Sequence, residues 1–412
     1  MSGAISDLSA RAILDSRGNP TVEVDCFVDG QLQGRAAVPS GASTGSYEAI
    51  ELRDGGDHWV GKGVASAVAN VNGEIRDALI GMNVADQQGI DTALVALDGT
   101  ENKARLGANA MLGVSMACLR ASSQGALWKH IAGEGPSSIP VPQMNILNGG
   151  AHAASNVDIQ EFMVVPHGFD SFSDALRAGV EIYHSLKSVL KEEGLLGGIG
   201  DEGGFAPNLP RNEDGLRLVL SAISGAGYTP GEQVSIALDC AAQEFCHDDG
   251  YHIDGGILSG SELGQLYSSW LDTYPIVSLE DAFGEDDWEA WSEFTAREGH
   301  RVQVVGDDLY VTNPTRLSKG IAEGASNAIL IKLNQIGTVS ETMRVIEMAR
   351  SAGFATIISH RSGETSDHMI SDLAVGTNAG QIKTGAPARS DRTAKYNQLI
   401  RISEQCDNYA SL

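Results

Sequence analysis

The sequence predicts an α/β protein in two parts: a small N-terminal α+β unit, then an eight-stranded (β/α) barrel. Three observations carry this. Six short apolar runs in the second part each end on a single charged side chain: Asp239, Glu280, Asp307, Lys332, His360 and Lys383. The intervals between those residues are 41, 27, 25, 28 and 23, and after the first, which has room for an extra loop at 248–260, each fits one strand plus one helix. Near-continuous apolar strands alternating with amphipathic stretches imply parallel strands covered by helices.

In chain order, Val22, Val24, Cys26 and Val28 alternate with Glu23, Asp25 and Phe27, and Asp29-Gly30 turns the chain into a second extended run ending at Val38. Val64, Val68, Val71, Ile75 and Leu79 share one helical face, with Gly81 as the stop. A second helical stretch runs from about Ala108 to His130. The small and polar segment 132–138 reads as a linker, dividing residues 1–138 from 139–412. Apolar segments around 144–147 and 162–165 bring the barrel's strand count to eight. Among the covering helices, Thr338 and Glu341 have capping-box spacing ahead of Val339, Met343 and Ile346, and Asn313-Pro314 is a cap and first-turn pair. An open doubly wound sheet is the alternative, but no glycine-rich turn follows a first strand.

The 412 residues carry 28 basic and 54 acidic side chains, a formal net charge of −26. Nucleic acid and anionic membranes are polyanions that need clustered Lys and Arg, so a nucleic-acid groove is not expected. Five cysteines without a CxxC pair support neither a disulfide framework nor a thiolate zinc site. The start lacks the basic and apolar blocks of a signal peptide, and no run is long enough to span a membrane, which predicts a cytoplasmic protein.

Barrel enzymes carry their chemistry at strand C-termini. Asp239, Glu280 and Asp307 end successive strands and should converge there. Bunched carboxylates need compensation, and such a hard-oxygen trio suits Mg²⁺, although any one of them alone reads equally as a loop cap. Lys332 and Lys383 end apolar strands where a solvated lysine has no reason to sit; a general base and a structural ion pair with the carboxylates both fit. The stretch 198–203 matches GxGxxG by letter, yet two acids within it would repel a pyrophosphate, so it reads as a rigid loop presenting Glu202. Residues 40–45 and 148–152 have the small-residue content of mobile lids. Arg361-Ser362 is a phosphate-binding combination, and Glu285-Asp286-Asp287 reads as a solvated loop.

Taken together, residues 13–23 (ILDSRGNPTVE), 39–45 (PSGASTG), 200–204 (GDEGG), 359–365 (SHRSGET) and 381–389 (QIKTGAPAR) resemble the enolases, phosphopyruvate hydratases, in the family's order and over nearly the whole chain. The resemblance implies reversible dehydration of 2-phosphoglycerate to phosphoenolpyruvate with two Mg²⁺ ions. By motif it implies Asp239, Glu280 and Asp307 as ligands of the first ion, Ser40 as the lid serine on the second, and Lys332 as the base at C2. Glu202 is then the acid at the C3 hydroxyl, supported by Glu161, and Arg361 and Ser362 are the phosphate contacts. Lys383, Gln160, His152 and His360 match further substrate-site positions. The family also suggests a homodimer or an octamer of dimers, with a cell-surface or secreted fraction by analogy.

Two departures stand out. Ala282 replaces the proline that many members carry two residues after the strand-end glutamate, which bears on loop rigidity. The sequence stops at Leu412 without the usual glycine and aromatic tail, which predicts altered packing of the last helix or subunit interface. The competing functions are another acid-sugar dehydratase or racemase of the same superfamily, which should lack the phosphate clamp, and a catalytically silent scaffold, which should have an eroded site.

Overall fold

The computed structural model describes residues 3–41, 45–123, 125–153 and 155–412. At the N-terminus, β1 (Ile5–Leu14), β2 (Pro20–Val28) and β3 (Gln31–Ala37) form an antiparallel sheet in that order. Asp29 and Gly30 both take positive φ, 52° and 74°, as a two-residue hairpin turn requires. The helix α1 (Gln87–Asp98), capped by Asp86, was not among the sequence expectations; α2 (Ala108–Ser122) covers the sheet. At Gly34 a Cβ would lie 2.0 Å from the Ala117 carbonyl oxygen, so only glycine lets β3 approach α2 so closely.

Two helical expectations need correction. The face built from Val64, Val71, Ile75 and Leu79 is buried as predicted. The helix itself is broken into Ala65–Asn70, a π-turn at Val71–Ile75 and Arg76–Leu79. Gly73 leaves helical geometry inside that turn, at φ −112° and ψ −107°, and the Asn72 amide accepts from the Ala10 N–H and donates to the Ala10 carbonyl, tying the turn to β1. The stretch expected to run to His130 ends at Ser122, and Leu127–Ala132 is a separate short helix with Gly125 at φ +133° between them.

The second part is a closed barrel of β4 (Val141–Asn148), β5 (Glu161–Pro166), β6 (Val234–Asp239), β7 (Ile276–Glu280), β8 (Gln303–Gly306), β9 (Ala328–Ile331), β10 (Ala355–Ser359) and β11 (Gly380–Lys383). Pairing of β11 with β4 closes the ring. Neighbours run parallel with one exception: β5 is antiparallel to both β4 and β6. A parallel return usually carries a crossover helix, whereas the described residues of 149–160 form no α-helix, just a tight turn at Gly150–His152. Two helices, α3 (Phe172–Glu192) and α4 (Asn212–Gly225), therefore follow β5 in succession. Strand and helix alternate thereafter, with α5 (Gly260–Thr273), α6 (Trp288–Glu298), α7 (Pro314–Glu323), α8 (Val339–Ser351), α9 (Met369–Gly376) and α10 (Ser390–Ser403). The long first interval holds a small antiparallel sheet of Cys246–His247, Gly250–Ile253 and Gly256–Leu258. Thr338 and Asn313 cap their helices as the spacing predicts. No helix among the described residues is long and apolar enough to cross a membrane, and all five cysteines are free thiols.

The N-terminal part is fastened over the barrel mouth. Ser40 and Gly363 exchange backbone hydrogen bonds of 2.8 Å in both directions. Glu285-Asp286-Asp287 is a docking point rather than the solvated loop predicted. Ser46 donates to Glu285 at 2.6 Å, and Arg316 lies 3.9 Å from the Tyr47 ring while contacting Asp286. Asp287 caps α6 through the Ala290 N–H and accepts from the Tyr251 hydroxyl at 2.6 Å. Residues 42–44 of the predicted lid lie outside the described residues.

Candidate active site

The apolar strands end where the side chains change to charge, so the barrel mouth collects what the interior cannot hold. One cavity is lined by His152, Gln160, Glu161, Glu202, Asp239, Asp307, Lys332, His360, Arg361, Ser362 and Lys383, all predicted from the sequence, together with Asp281 and Asp308, which were not. Glu280 joins them through Lys383, whose ammonium donates to Asp239 at 2.8 Å, to both Glu280 oxygens at 2.8 Å, and lies 3.2 Å from Glu161. Burial alone would strip the proton from Lys383, but Asp239, Glu161 and Glu280 outweigh it and hold its pKa far above the ordinary lysine value.

Lys332 pairs with Asp307, whose other oxygen accepts from the Gln335 amide at 2.9 Å. Burial lowers the proton affinity of Lys332, and Asp307 more than restores it, so its pKa is raised in this arrangement. The structure thus realises the ion-pair reading of both lysines. Gln160 donates to Asp239 at 3.1 Å.

On the other side of the mouth, Glu202 sits in a small hairpin made by Gly198–Ile199 and Phe205–Ala206. Its Oε2 accepts from Asn145 at 3.1 Å and lies 3.3 Å from His360 Nε2; its Oε1 is 3.7 Å from His152 Nδ1, which is also 3.5 Å from Glu161. Burial raises both carboxyls of the Glu161–Glu202 pair. Glu202 is then drawn well below the ordinary value by His360, His152 and Arg392, whereas Glu161 stays well above it, pushed further by Glu202. The proton of the pair therefore sits on Glu161 in this arrangement. His360 itself is driven down to about 3, chiefly by burial, so the ring is neutral and acts through its N–H.

Arg361 makes a bidentate pair with Glu48, 2.9 and 3.0 Å, and donates to Asn334 at 3.0 Å. Glu48 comes from the N-terminal part. Ser40 is not brought to the carboxylates: its hydroxyl donates to Glu51 at 3.0 Å and accepts from Arg53 at 2.9 Å.

The mouth fits hard cations. Ligand oxygens of Asp281, Asp307 and Asp308 lie within 4.8 Å of one another, as do those of Glu161 and Glu202 with a His152 nitrogen. Glu161 Oε2 and Gln160 Oε1 are buried without a hydrogen-bond partner among the described residues. Burial and neighbouring acids push Asp308 up to about 8 and Glu280 and Asp281 well above ordinary values, the signature of too little positive charge. Asp281 is missed by the sequence argument because it ends no strand; it takes φ 44° so that its carboxylate accepts from the Asp307 and Asp308 N–H groups, 2.9 and 2.8 Å. Asn145 and Gln335 carry no sequence signal, being amides inside a strand and a short helix.

Comparison with known proteins agrees with this geometry. The family model described as "Enolase, N-terminal domain" matches residues 5–131, and "Enolase, C-terminal TIM barrel domain" matches 136–412. A protein named enolase from Acidothermus cellulolyticus is 56% identical over 409 residues, 98% of this chain and 95% of its own length. Another enolase, from Natranaerobius thermophilus, is 56% identical over 406 residues, 97% of this chain and 95% of its own. With both halves of the family pattern present in order around an intact polar mouth, the chain belongs to the enolase family.

Proposed function

We propose that this protein is a phosphopyruvate hydratase, a lyase interconverting 2-phosphoglycerate and phosphoenolpyruvate plus water in glycolysis and gluconeogenesis. The observation that carries the reading is one cavity holding a half-buried amine at the end of the sixth strand, Lys332, and a buried carboxyl beside the first, Glu202, with Arg361 and Ser362 between their strands.

The C2 proton lies next to a carboxylate and is very weakly acidic, since its loss puts a second negative charge there. Lys332 takes that proton, a role open to it only when Asp307 is engaged elsewhere. Mg²⁺ ions held by Asp239, Glu280 and Asp307, with Asp281 and Asp308 beside them, would supply the positive charge that this developing dianion needs; a lysine base with Mg²⁺ is the general pattern of the enolase superfamily. In the second half the C3–O bond breaks with its electron pair going to oxygen. Glu202, protonated at the expense of Glu161, gives that proton to the oxygen, so water leaves and the C2–C3 double bond forms. Glu161 and His152 flank Glu202, Gln160 and Lys383 orient the Asp239–Glu280 side, and Arg361 and Ser362 receive the phosphate. Ser40, whose hydroxyl here bonds Glu51 and Arg53, would ligate the second Mg²⁺.

The boundary between the two parts is placed after residue 138, and the working form is a cytoplasmic homo-oligomer, which sedimentation of the purified protein tests for its assembly. Ultraviolet absorbance of the enol phosphate, followed after adding 2-phosphoglycerate, should rise with Mg²⁺ present and stay flat in excess chelator. Turnover undiminished by chelator overturns the metal assignment, and no turnover under any metal condition overturns the activity.

A further inference from the structure

Arg392 is used by nothing in the scheme above, yet its side chain is completely buried behind the site. It enters from the first turn of α10, in a space kept open at Gly385, where a Cβ would meet Arg392 Cδ at 2.9 Å and His360 Cε1 at 3.1 Å. Its Nη1 lies 2.5 Å from His360 Nδ1 and donates to the Arg361 carbonyl at 2.6 Å. Its Nη2 donates to the Ser362 carbonyl at 2.5 Å and to the Asp201 carbonyl, next to Glu202, at 3.3 Å.

A guanidinium has donors and no acceptor. The contact with Nδ1 therefore uses the ring's lone pair, and the single ring proton belongs on Nε2, the nitrogen facing Glu202 Oε2. A permanent cation against the ring also opposes a second proton, in line with the depressed value of His360. Glu202 Oε2 then accepts from Asn145 and has the His360 Nε2–H 3.3 Å away, with no acceptor beside it, so an acid proton on Glu202 belongs on Oε1.

We propose that Arg392 is a positioning residue for the water-forming half of the reaction: it fixes the His360 tautomer and thereby selects the Glu202 oxygen that delivers the proton. This rests on the dehydratase reading. When Oε1 gives its proton to the departing oxygen, the carboxylate left behind already has Oε2 facing two N–H groups. In the reverse direction Oε1 accepts the proton from water. Base action at Lys332 does not pass through this set.

The tautomer is read directly in the wild-type protein by ¹⁵N NMR of its histidines, with His360 assigned by the resonance lost in His360→Gln. Nδ1 should appear unprotonated and Nε2 protonated from pH 6 to 9; a protonated Nδ1 overturns the proposal. In Arg392→Gln at saturating 2-phosphoglycerate, formation of phosphoenolpyruvate should fall about 100-fold, and Arg392→Lys, whose ammonium is also a donor with no acceptor, should retain more of it. Exchange of the C2 proton with solvent deuterium should stay within about threefold of wild type. KM is recorded separately, because Arg392 also holds the Arg361 and Ser362 carbonyls. A parallel loss of exchange and elimination, or unchanged elimination, overturns the proposal; if neither variant folds, the wild-type tautomer decides. Absence of both reactions in the wild type would overturn the dehydratase reading and leave the tautomer result standing.

Discussion

At the residue scale, Glu202 and Lys332 show that position in a motif names a group while its neighbours set its role. The loop around residues 198–204 announces a presented carboxyl, but only the structure reveals that Asn145 and His360 meet one oxygen and His152 the other. Glu202→Gln removes the proton donor and keeps the shape, so C2 deuterium exchange should persist while phosphoenolpyruvate formation falls by about 10²–10⁴. Lys332→Ala should lose both; C2 exchange in that variant contradicts the base assignment. The residues legible from sequence were charged side chains terminating apolar runs, where burial of an ionisable group demands a reason. Asn145, Gln335, Glu48, Asp281 and Arg392 were not legible, because an amide or a charge inside an ordinary helix, strand or loop has many innocent explanations and its partner lies far away in sequence.

At the element scale, caps and stops were readable and chain direction was not. Asn313, Thr338, Gly324 and Gly353 do what local chemistry dictates. The π-turn at Val71–Ile75 carries one local sign, Gly73 in mid-helix, but the tie that holds it, Asn72 to Ala10, spans 62 positions and no local rule encodes that. The junction between α2 and the β10–α9 loop yields a test. Burial alone would raise Asp367, but the paired guanidinium of Arg120, together with the Ala37 and Met369 N–H groups, brings it from the ordinary 3.8 to about 2. A carboxyl lowered on folding stabilises fully above the unfolded value, and that contribution is lost as pH falls through the folded one. The stability difference between wild type and Asp367→Asn, from urea unfolding, should therefore be constant above about pH 5 and shrink by about 2 kcal/mol between roughly pH 4 and 2. A difference that grows as pH falls would contradict the pairing.

At the scale of the whole molecule, a net charge of −26 sits beside a proposed substrate that is itself a small polyanion. The cations that matter are gathered in the mouth, out of reach of the acidic surface, which screening confines to roughly 8 Å. Meanwhile the N-terminal part lends its own carboxylate, Glu48, to Arg361. An arriving phosphate competes for that guanidinium, so the two parts of the chain communicate through one arginine. Glu48→Ala leaves Arg361 buried without its bidentate partner and should lower stability by about 3–5 kcal/mol. Inorganic phosphate should then raise Tm more in the variant than in wild type, as binding to the folded state alone requires; equal shifts would mean that Glu48 and phosphate do not share the site.

The reversed strand β5 has a bearing on how this mouth can change. Because the chain doubles back after Asn148 without an α-helix, His152, Gln160 and Glu161 all fall within one short covalent segment, whereas the other groups in the mouth come from the ends of β6 to β11 and from the hairpin that carries Glu202. That segment behaves as a cassette: the pairing of β5 with both neighbours fixes which of its side chains face the mouth, and a one-residue slip of β5 would move Glu161 from the mouth to the outer face of the barrel. Substitutions in the segment can retune three site groups together, whereas an insertion within β5 itself would misplace Glu161, so variation inside that strand should be confined to side chains.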